Sequence, residues 1–333
     1  MYNISILTAS SYIKAILKGT LSMNNLSTPS RTSIILNFLS VYIVWGSTYL
    51  AIKYAVLSFP PLLMSSMRFF LAALVMFAIG KIRKEEKLLP ADKKIAGISG
   101  MLLVLGNGFV CIAEMTIPSG FAAIIIGTTP IFVMLLNWFF FEKSVPQIRQ
   151  VFGILVSLAG IVMLTKGDMS SADSTQLVGV GLLGIAILSW AIGTLMQRKA
   201  GKLRNIFTFS GYQLLIGSFL VGILGATRGE LAQFDVSKIT TTGVLAVLYL
   251  IFFGSAVAYS SYVWLSRNVE PSKVTTYAVV NPVVAVWLGW AIADEHVDLN
   301  TMLYSLVVLV GLYFVIFKPK TSTDKKIATV KVS

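Results

Sequence analysis

Long apolar runs separated by short polar connections extend over most of the chain. A helix rises 1.5 Å per residue, so about 20 apolar residues are needed to cross roughly 30 Å of hydrocarbon. Helices are predicted rather than strands, because the alternating pattern of a membrane barrel does not occur. The ten predicted spans cover residues 34–56, 61–80, 95–114, 118–140, 149–165, 178–197, 206–226, 241–264, 271–292 and 299–317.

Composition places these helices in a membrane. Hydrophobic residues make up 56% of the chain and charged residues 12%, and the mean hydropathy is +0.81. Such a chain needs lipid as its solvent, so an all-α integral membrane protein is predicted, with the lipid bilayer as its surroundings. The net charge of +13 does not indicate a nucleic-acid partner, because the Lys and Arg residues lie between apolar runs rather than on one face.

The basic residues fall mainly on one side of the predicted topology. Lys and Arg hold their loops in the cytoplasm, and 22 of the 27 lie in tails or loops that share a side. Four fall on the other side, and Arg68 falls within a span. Both termini are therefore predicted to be cytoplasmic, with residues 1–32 and 319–333 as tails.

The two halves of the chain repeat at offsets of 145 and then 153 residues. The matched pairs are Trp45 with Trp190, Lys53 with Arg198, Arg68 with Gln213, Pro118-Ser119 with Pro271-Ser272, and Glu142 with Glu295. Five spans per half is an odd number, so the second half must enter the membrane in the opposite orientation. The prediction is ten transmembrane helices in two inverted five-helix repeats, residues 33–166 and 177–318. Such repeats can rock about a shared site and expose it to either side.

Several motifs, taken in order, carry a family resemblance. They are the Trp45-Gly46-Ser47-Thr48 segment, Arg68, Gly106-Asn107-Gly108, Ala113-Glu114, Pro118-Ser119-Gly120, and the spacing from proline to glutamate in spans 4 and 9. The chain thereby resembles the EamA family of the drug/metabolite transporter superfamily over about residues 35–317. The resemblance implies a secondary transporter or exporter of an amino-acid-like or amphipathic drug-like metabolite, in the plasma (bacterial inner) membrane. The chain departs from a symmetric pattern where Gln213 matches Arg68 and where no acid in span 8 mirrors Glu114.

Two ionisable groups in or beside the spans are candidates for function. An arginine in a span costs roughly 2.5–3.5 kcal/mol on insertion scales, so Arg68 is expected to face protein or water. Its place near a helix end also allows simple snorkelling, which is the structural alternative. Glu114 closes the third span at its outward end, where a desolvated carboxylate could take up and release protons and so couple transport to a proton gradient. A plain ion pair between the two is the alternative.

Two mid-span prolines are predicted hinges. Pro130 and Pro282 each remove a helical hydrogen bond and free the carbonyls around Ile126 and Ala278. Broken helices with polar neighbours line the cavities of transporters, whereas simple packing kinks are the alternative. The predicted substrate-binding residues are Trp45, Tyr49, Arg68, Asn107, Glu114, Thr129, Trp190, Gln213, Tyr259, Tyr262 and Asn281. Each of these, taken singly, also suits helix packing or interface anchoring.

The charged residues at the helix ends have structural roles in this interpretation. Lys53 and Arg198 are predicted to snorkel towards opposite membrane faces. Glu142 and Glu295 are predicted to cap the ends of spans 4 and 9 by pairing with nearby cations, and a gate is the alternative role.

Rival functions find less support in the sequence. His296 is the only histidine, and neither an HExxH pattern nor a Walker loop occurs. No catalytic residue, metal or cofactor is therefore predicted. A polytopic membrane enzyme, a channel and a non-transporting scaffold are the alternatives to a carrier, and the chain suits a monomer or a homodimer.

Overall fold

The computed structural model describes residues 30–141, 145–168, 174–200, 205–269, 274 and 276–316. Within these residues every regular element is helical. The first five long helices are α1 (Arg31–Val56), α2 (Pro61–Ile82), α3 (Pro90–Ala113), α4 (Ser119–Phe141) and α5 (Ile148–Asp168). The other five are α6 (Ser174–Ala200), α7 (Ile206–Thr227), α8 (241–268), α9 (Tyr277–Ala293) and α10 (Leu299–Ile316). Two short helices, Glu230–Gln233 and Val236–Lys238, lie between α7 and α8.

Eight of these helices are long and apolar enough to cross a membrane, among the residues that the structure describes. The other two are α5, whose apolar stretch is Ile148–Met163, and α9, which has 17 residues. The predicted all-helical membrane protein is thus confirmed, while the count of ten spans stays a prediction.

Two prolines mark the starts of α2 and α3. Pro61 and Pro90 are the first residues of their helices, where the missing N–H leaves no helical hydrogen bond unmade. As a result α3 begins five residues before the predicted start of its span at residue 95. The apolar pattern marks only the part of the helix inside the hydrocarbon, and the proline marks its first turn.

The C-terminal ends of α2 and α7 have the same backbone geometry. Each helix is followed within two residues by a left-handed residue, Lys84 with φ 54° and Gly229 with φ 77°. These two positions are 145 residues apart, which is the repeat offset of this part of the chain. In each case the turn is followed by a glutamate, Glu85 or Glu230, that faces the partner helix.

The glutamates cap the two helices reciprocally. The backbone amides that donate to them are those of Phe207 and Thr208, at 3.1 and 2.8 Å from Glu85, and those of Leu62 and Leu63, both at 2.9 Å from Glu230. A carboxylate at a helix N-terminus satisfies free N–H groups and interacts favourably with the helix dipole. Because each helix ends where its partner begins, α2 and α7 run antiparallel beside each other.

The remaining helices pack around this pair. Helix α3 contacts α6 and α7, α1 contacts α8 and α9, and α4 contacts α6 and α9. Helices α5 and α10 form a peripheral pair, in which a Cβ on Gly153 would lie 2.6 Å from the carbonyl oxygen of Gly311. The centre of the bundle is therefore enclosed by helices from both halves.

Candidate functional site, a cavity between the two halves

A cavity of about 110 Å³ lies at the centre of the bundle. Helices α1, α2, α3 and α4 of the first half and α6, α7, α8 and α9 of the second half all contribute to its wall. Its polar lining includes Thr48, Asn107, Thr129, Ser255 and Asn281. A mostly apolar pocket with a few polar groups is the usual form of a small-molecule site.

Trp45 is the centre of an aromatic cluster at the cavity. Its ring contacts that of Trp190 edge-on, with 6.2 Å between the ring centroids, and these two residues are equivalent in the repeat. The rings of Tyr262 and Tyr277 lie 5.1 and 5.3 Å from that of Trp45. The indole nitrogen of Trp45 donates to the carbonyl oxygen of Gly254 at 3.1 Å. This hydrogen bond fixes one aromatic wall of the cavity.

Both partners of that hydrogen bond lie in π-helical segments. Ser40–Trp45 in α1 and Leu250–Ala258 in α8 are wider than an α-helix. Segments of this kind are rare and are frequent at functional sites, because they release backbone groups from the regular helical ladder. The widened turn of α8 makes a carbonyl available to the indole.

Helix α4 is broken beside the cavity. It consists of two α-helical segments, Ser119–Ile126 and Thr129–Leu136, followed by a π-helical end. The carbonyl of Ile126 accepts a hydrogen bond from the Thr129 hydroxyl at 2.5 Å. The predicted release of this carbonyl by proline is thus partly compensated within α4 itself.

The break in α4 lies against α9. A Cβ on Gly127 would lie 2.9 Å from Cγ of Pro282, so only a glycine allows this approach. Both residues line the cavity, whereas Pro130 does not. Helix α9 is continuous through Pro282. The two predicted hinge prolines therefore have different surroundings, and their role as hinges stays a prediction.

Gln213 is the hub of a buried polar network. Its amide oxygen accepts from the Tyr259 hydroxyl at 2.6 Å. Its amide nitrogen donates to the Ser99 hydroxyl at 2.9 Å and to the side-chain oxygen of Gln197 at 3.2 Å. The side chain is fully buried and lines the cavity. The repeat equivalent of Arg68 is therefore neutral and hydrogen-bonded.

Arg68 has different surroundings. Its side chain is buried, and the guanidinium carbon lies 4.2 Å from the ring centroid of Phe69. Its Nε and Nη1 atoms have no hydrogen-bond partner among the described residues. Arg68 lines the cavity rather than extending to a helix end, so the snorkelling alternative is wrong.

Glu114 is also buried and lies outside the cavity lining. Both of its carboxylate oxygens lack a hydrogen-bond partner among the described residues. Within that part of the chain no ion pair joins Glu114 to Arg68, because no nitrogen–oxygen distance between them falls within 4.0 Å. The plain ion pair is therefore not present in this conformation.

Most of the predicted substrate-binding residues meet at this cavity. Those that line it are Trp45, Tyr49, Arg68, Asn107, Thr129, Trp190, Gln213, Tyr259 and Asn281. Tyr262 packs against Trp45 in a tilted arrangement, and neither Tyr262 nor Glu114 lines the cavity. Tyr277 lines the cavity and is absent from the predicted set. Its place five residues before Pro282, on the same helix, is the available signal.

At one end of the bundle lies a cluster of polar contacts around Glu295, which we name the Glu295 clasp. It joins Glu295, between α9 and α10, to Lys53 of α1 and to Ser119 and Gly120 at the start of α4. The Glu295 carboxylate accepts from the amide and hydroxyl of Ser119, both at 2.8 Å, and from the amide of Gly120 at 3.1 Å. The Lys53 amine lies 3.0 Å from the same carboxylate.

The clasp bears on two predictions about the helix ends. The Lys53 amine forms an ion pair with Glu295, and its snorkelling towards a membrane face stays a prediction. Glu295 pairs with a cation, as predicted, but it caps the start of α4 rather than the end of α9. Arg198 is exposed, and Glu142 lies outside the described residues.

The donors of the clasp favour the ionised carboxylate. Burial raises the pKa of Glu295, but hydrogen bonds from Ser119 and Gly120 and the contact with Lys53 outweigh this effect. The pKa therefore lies below the usual range of a glutamate. The clasp is charged and intact at neutral pH.

Comparisons with known proteins agree with this architecture. The model of the EamA-like transporter family matches residues 32–166 and 177–317. The uncharacterized inner membrane transporter YedA of Escherichia coli strain K12 is 34% identical over 302 residues, covering 84% of this chain and 92% of that protein. The uncharacterized transporter YoaV of Bacillus subtilis strain 168 is 23% identical over 283 residues, covering 84% and 95%.

A solved crystal structure shares the fold. It superposes with a TM-score of 0.61 and 18% identity, over 86% of this chain and 98% of that one. The family model covers most of the chain in two blocks, and YedA is similar over most of both lengths. This multi-pass membrane protein belongs to the EamA-like transporter family, as the sequence motifs indicated.

Proposed function

We propose that this protein is a secondary carrier that moves a small solute across a bacterial inner membrane by alternating access. The observation that carries the proposal is the central cavity, whose wall is built from both halves of the chain. The names of the relatives, an inner membrane transporter and a transporter, support it. In this proposal the protein is a carrier and not an enzyme.

The proposed topology is ten spans in two inverted repeats. The antiparallel pairing of α2 with α7, which are equivalent at the 145-residue offset, supports inversion. The contact between Trp45 and Trp190 supports a shared central site. Two such units can tilt relative to each other and expose that site to one side at a time.

The Glu295 clasp is the proposed gate on the outer side. The bias of the basic residues supports cytoplasmic termini, and in that orientation the start of α4 and the clasp lie on the outer face. The clasp joins α1 and α4, which both line the cavity, to the connection between α9 and α10. Release of the clasp would separate α4 from the end of α9 and open a path from outside.

Glu114 is the proposed site of proton coupling. The charged groups in electrostatic range of its carboxylate are Glu295, Lys53 and Arg68. Protonation of Glu114 would therefore change the charge balance between the clasp and the cavity. Glu114→Gln is expected to keep solute exchange but to remove its dependence on pH. Unchanged pH dependence in this variant would contradict the coupling role.

Reconstitution into liposomes tests the carrier proposal. Ligands are first selected by the rise in melting temperature that they cause in the purified protein. Counterflow of a selected solute is then expected to saturate with its concentration. Flux that rises linearly without counterflow would indicate a channel, and the absence of flux for every selected ligand would indicate a scaffold.

A pair of tryptophan variants locates the pathway. Thr129→Trp fills the cavity and is expected to abolish counterflow. Leu245→Trp introduces the same side chain at an outward position, where the leucine is 60% exposed, and is expected to leave counterflow unchanged. Equal activity of the two variants would contradict a pathway through this cavity.

A further inference from the structure

The central cavity has one formally charged side chain among the described residues that line it, and that side chain is Arg68. It is 3% exposed, and its Nε and Nη1 donors have no acceptor in the described part of the protein. The Phe69 ring contacts one side of the guanidinium. Arginine remains protonated in such a site. The cavity therefore contains an unpartnered positive charge.

This arrangement is costly unless a ligand compensates for it. A buried charge without hydrogen-bond partners is destabilising. Glu114 attracts the guanidinium from a distance but does not accept its hydrogen bonds. The donors of a guanidinium form a planar fork that matches the two oxygens of a carboxylate. Because Nε and Nη1 are shielded from solvent in this conformation, an incoming carboxylate reaches them only when the wall moves apart, and it would then satisfy donors that have no acceptor among the described residues.

The other residues of the cavity wall determine which chemical groups the ligand can carry besides its carboxylate. Aromatic rings and aliphatic side chains dominate the lining, and its other polar residues are neutral. No acidic side chain among the described residues lines the cavity to receive an ammonium group. A single positive charge in an enclosed site attracts anions and repels cations.

We propose that the cavity binds an organic monoanion, namely a carboxylate with an apolar or aromatic body and no amino group, whose carboxylate is held by Arg68. This inference rests on the proposed carrier function and names its substrate class. An apolar cavity of about 150 Å³ holds one benzene molecule, so the cavity of about 110 Å³ suits an aliphatic body the size of that of butyrate in this conformation, and an aromatic body enters only when the two halves move apart.

Matched probes test the charge preference. Binding of butyrate and 3-phenylpropionate to the purified full-length protein is compared by calorimetry with binding of their amides, of phenylalanine and of 3-phenylpropylamine. A carboxylate held by a charge-assisted bidentate contact is expected to bind about tenfold or more tightly than its amide. Phenylalanine is expected to bind more weakly than 3-phenylpropionate, and the amine weakest of all.

Variants assign the preference to Arg68. Arg68→Gln is expected to bring the ratio of carboxylate to amide affinity close to one, and Arg68→Lys to give an intermediate ratio. Arg228→Gln removes an exposed arginine outside the cavity and is expected to leave the ratio unchanged. If Arg68→Gln does not fold, the ratio of carboxylate to amide affinity in the wild type and in Arg68→Lys still tests the role of Arg68.

The outcomes separate this inference from the carrier proposal. The inference is overturned if no carboxylate probe binds at millimolar concentration, if amides bind as tightly as carboxylates, or if Arg68→Gln keeps the preference. Saturable counterflow of amines or amino acids that does not depend on Arg68 would also overturn it, while leaving the carrier function intact. Absence of counterflow for every ligand would count against the carrier function itself.

Discussion

Glu295→Gln is expected to open the cavity towards the outer face. The glutamate accepts three hydrogen bonds from the start of α4 and pairs with Lys53, and its side chain is 6% exposed. Glutamine has the same shape but no charge. Hydrogen bonds to a charged group are worth about 1.5–3 kcal/mol and neutral ones about 0.5–1.5 kcal/mol. The Glu295→Gln substitution therefore removes the extra free energy that the negative charge gives to these hydrogen bonds.

The net free-energy change of Glu295→Gln also depends on how strongly solvent screens the ion pair. The Lys53 side chain is 30% exposed, so its ion pair contributes at most about 1 kcal/mol. If the amide oxygen of glutamine keeps the two Ser119 hydrogen bonds as neutral ones, each loses about 1 kcal/mol, so the total loss is at least about 2 kcal/mol. This amount changes an equilibrium constant about 30-fold. If the closed state predominates in the wild type, the outward-open population increases by a similar factor.

Thiol labelling measures this population. Thr129→Cys provides a reporter in the cavity, in a background where the buried Cys111 is replaced by alanine. A membrane-impermeant reagent applied to intact cells is expected to react on the order of 30-fold faster in the Glu295→Gln protein. Glu230→Gln is the matched control, because it removes a carboxylate that caps α2 at the same end of the bundle.

Two labelling results would contradict a role of the clasp in holding the closed state. Equal labelling rates in the parent protein and in its Glu295→Gln variant would show that the clasp does not hold the closed state. An equally large increase in Glu230→Gln would show that any lost cap loosens the bundle. The clasp interpretation requires an increase in the first variant alone.

The other predictions concern stability. Burial raises the pKa of Glu230 despite its two amide donors, so acidification from pH 7 towards the ordinary value of about 4.3 is expected to stabilise the wild type. Glu230→Gln is expected to remove this rise in melting temperature, and an unchanged pH profile would contradict it. Gly100→Ala would drive a Cβ into the backbone of Gln213 and is expected to cost about 1–3 kcal/mol or more of unfolding free energy; chemical denaturation of the purified protein should show at least the lower value. Trp45→Phe removes the hydrogen bond to Gly254 and is expected to lower the free energy of unfolding by about 1 kcal/mol in the same assay. An unchanged free energy of unfolding would contradict the claim that this hydrogen bond fixes the aromatic wall.

The contribution of the clasp to stability also depends on pH, and acidification lowers it, whereas acidification raises the contribution of Glu230. Because the pKa of Glu295 is lowered in the folded protein, its contribution to stability is present above the ordinary pKa of about 4.3. It is lost only as the pH falls through the lower, folded value. The difference in melting temperature between wild type and Glu295→Gln is expected to be constant from pH 7 to about pH 5 and to shrink below about pH 4. A difference that disappears near pH 6 would contradict this assignment.

Much of the fold could be predicted because helices that lie in lipid appear in the sequence as long apolar runs. An apolar run must satisfy its own backbone hydrogen bonds, so the helices are visible in the sequence. The repeat offset also placed Trp45 opposite Trp190 and matched Arg68 with Gln213. The cost of its charge indicated that Arg68 faces protein or water, but it left snorkelling open, and only the structure places the side chain at the cavity. These predictions rest on local properties or on internal comparison.

The contacts between distant elements could not be predicted in this way. Glu295 caps a helix that begins 176 residues earlier, and no local pattern identifies that partner. Glu85 and Glu230 do obey the 145-residue offset, but each lies in a polar connection where a glutamate is common. Their role becomes visible only when the antiparallel contact of α2 with α7 is known.

The most direct test of the carrier account is the accessibility of one cavity residue from both sides of the membrane. Thr129→Cys, without Cys111, is labelled by an impermeant thiol reagent in right-side-out vesicles and separately in inside-out vesicles. The account predicts reaction from both sides, with Glu295→Gln favouring reaction from the outer side. Reaction from one side alone, in both the parent and the Glu295→Gln protein, would contradict alternating access through this cavity.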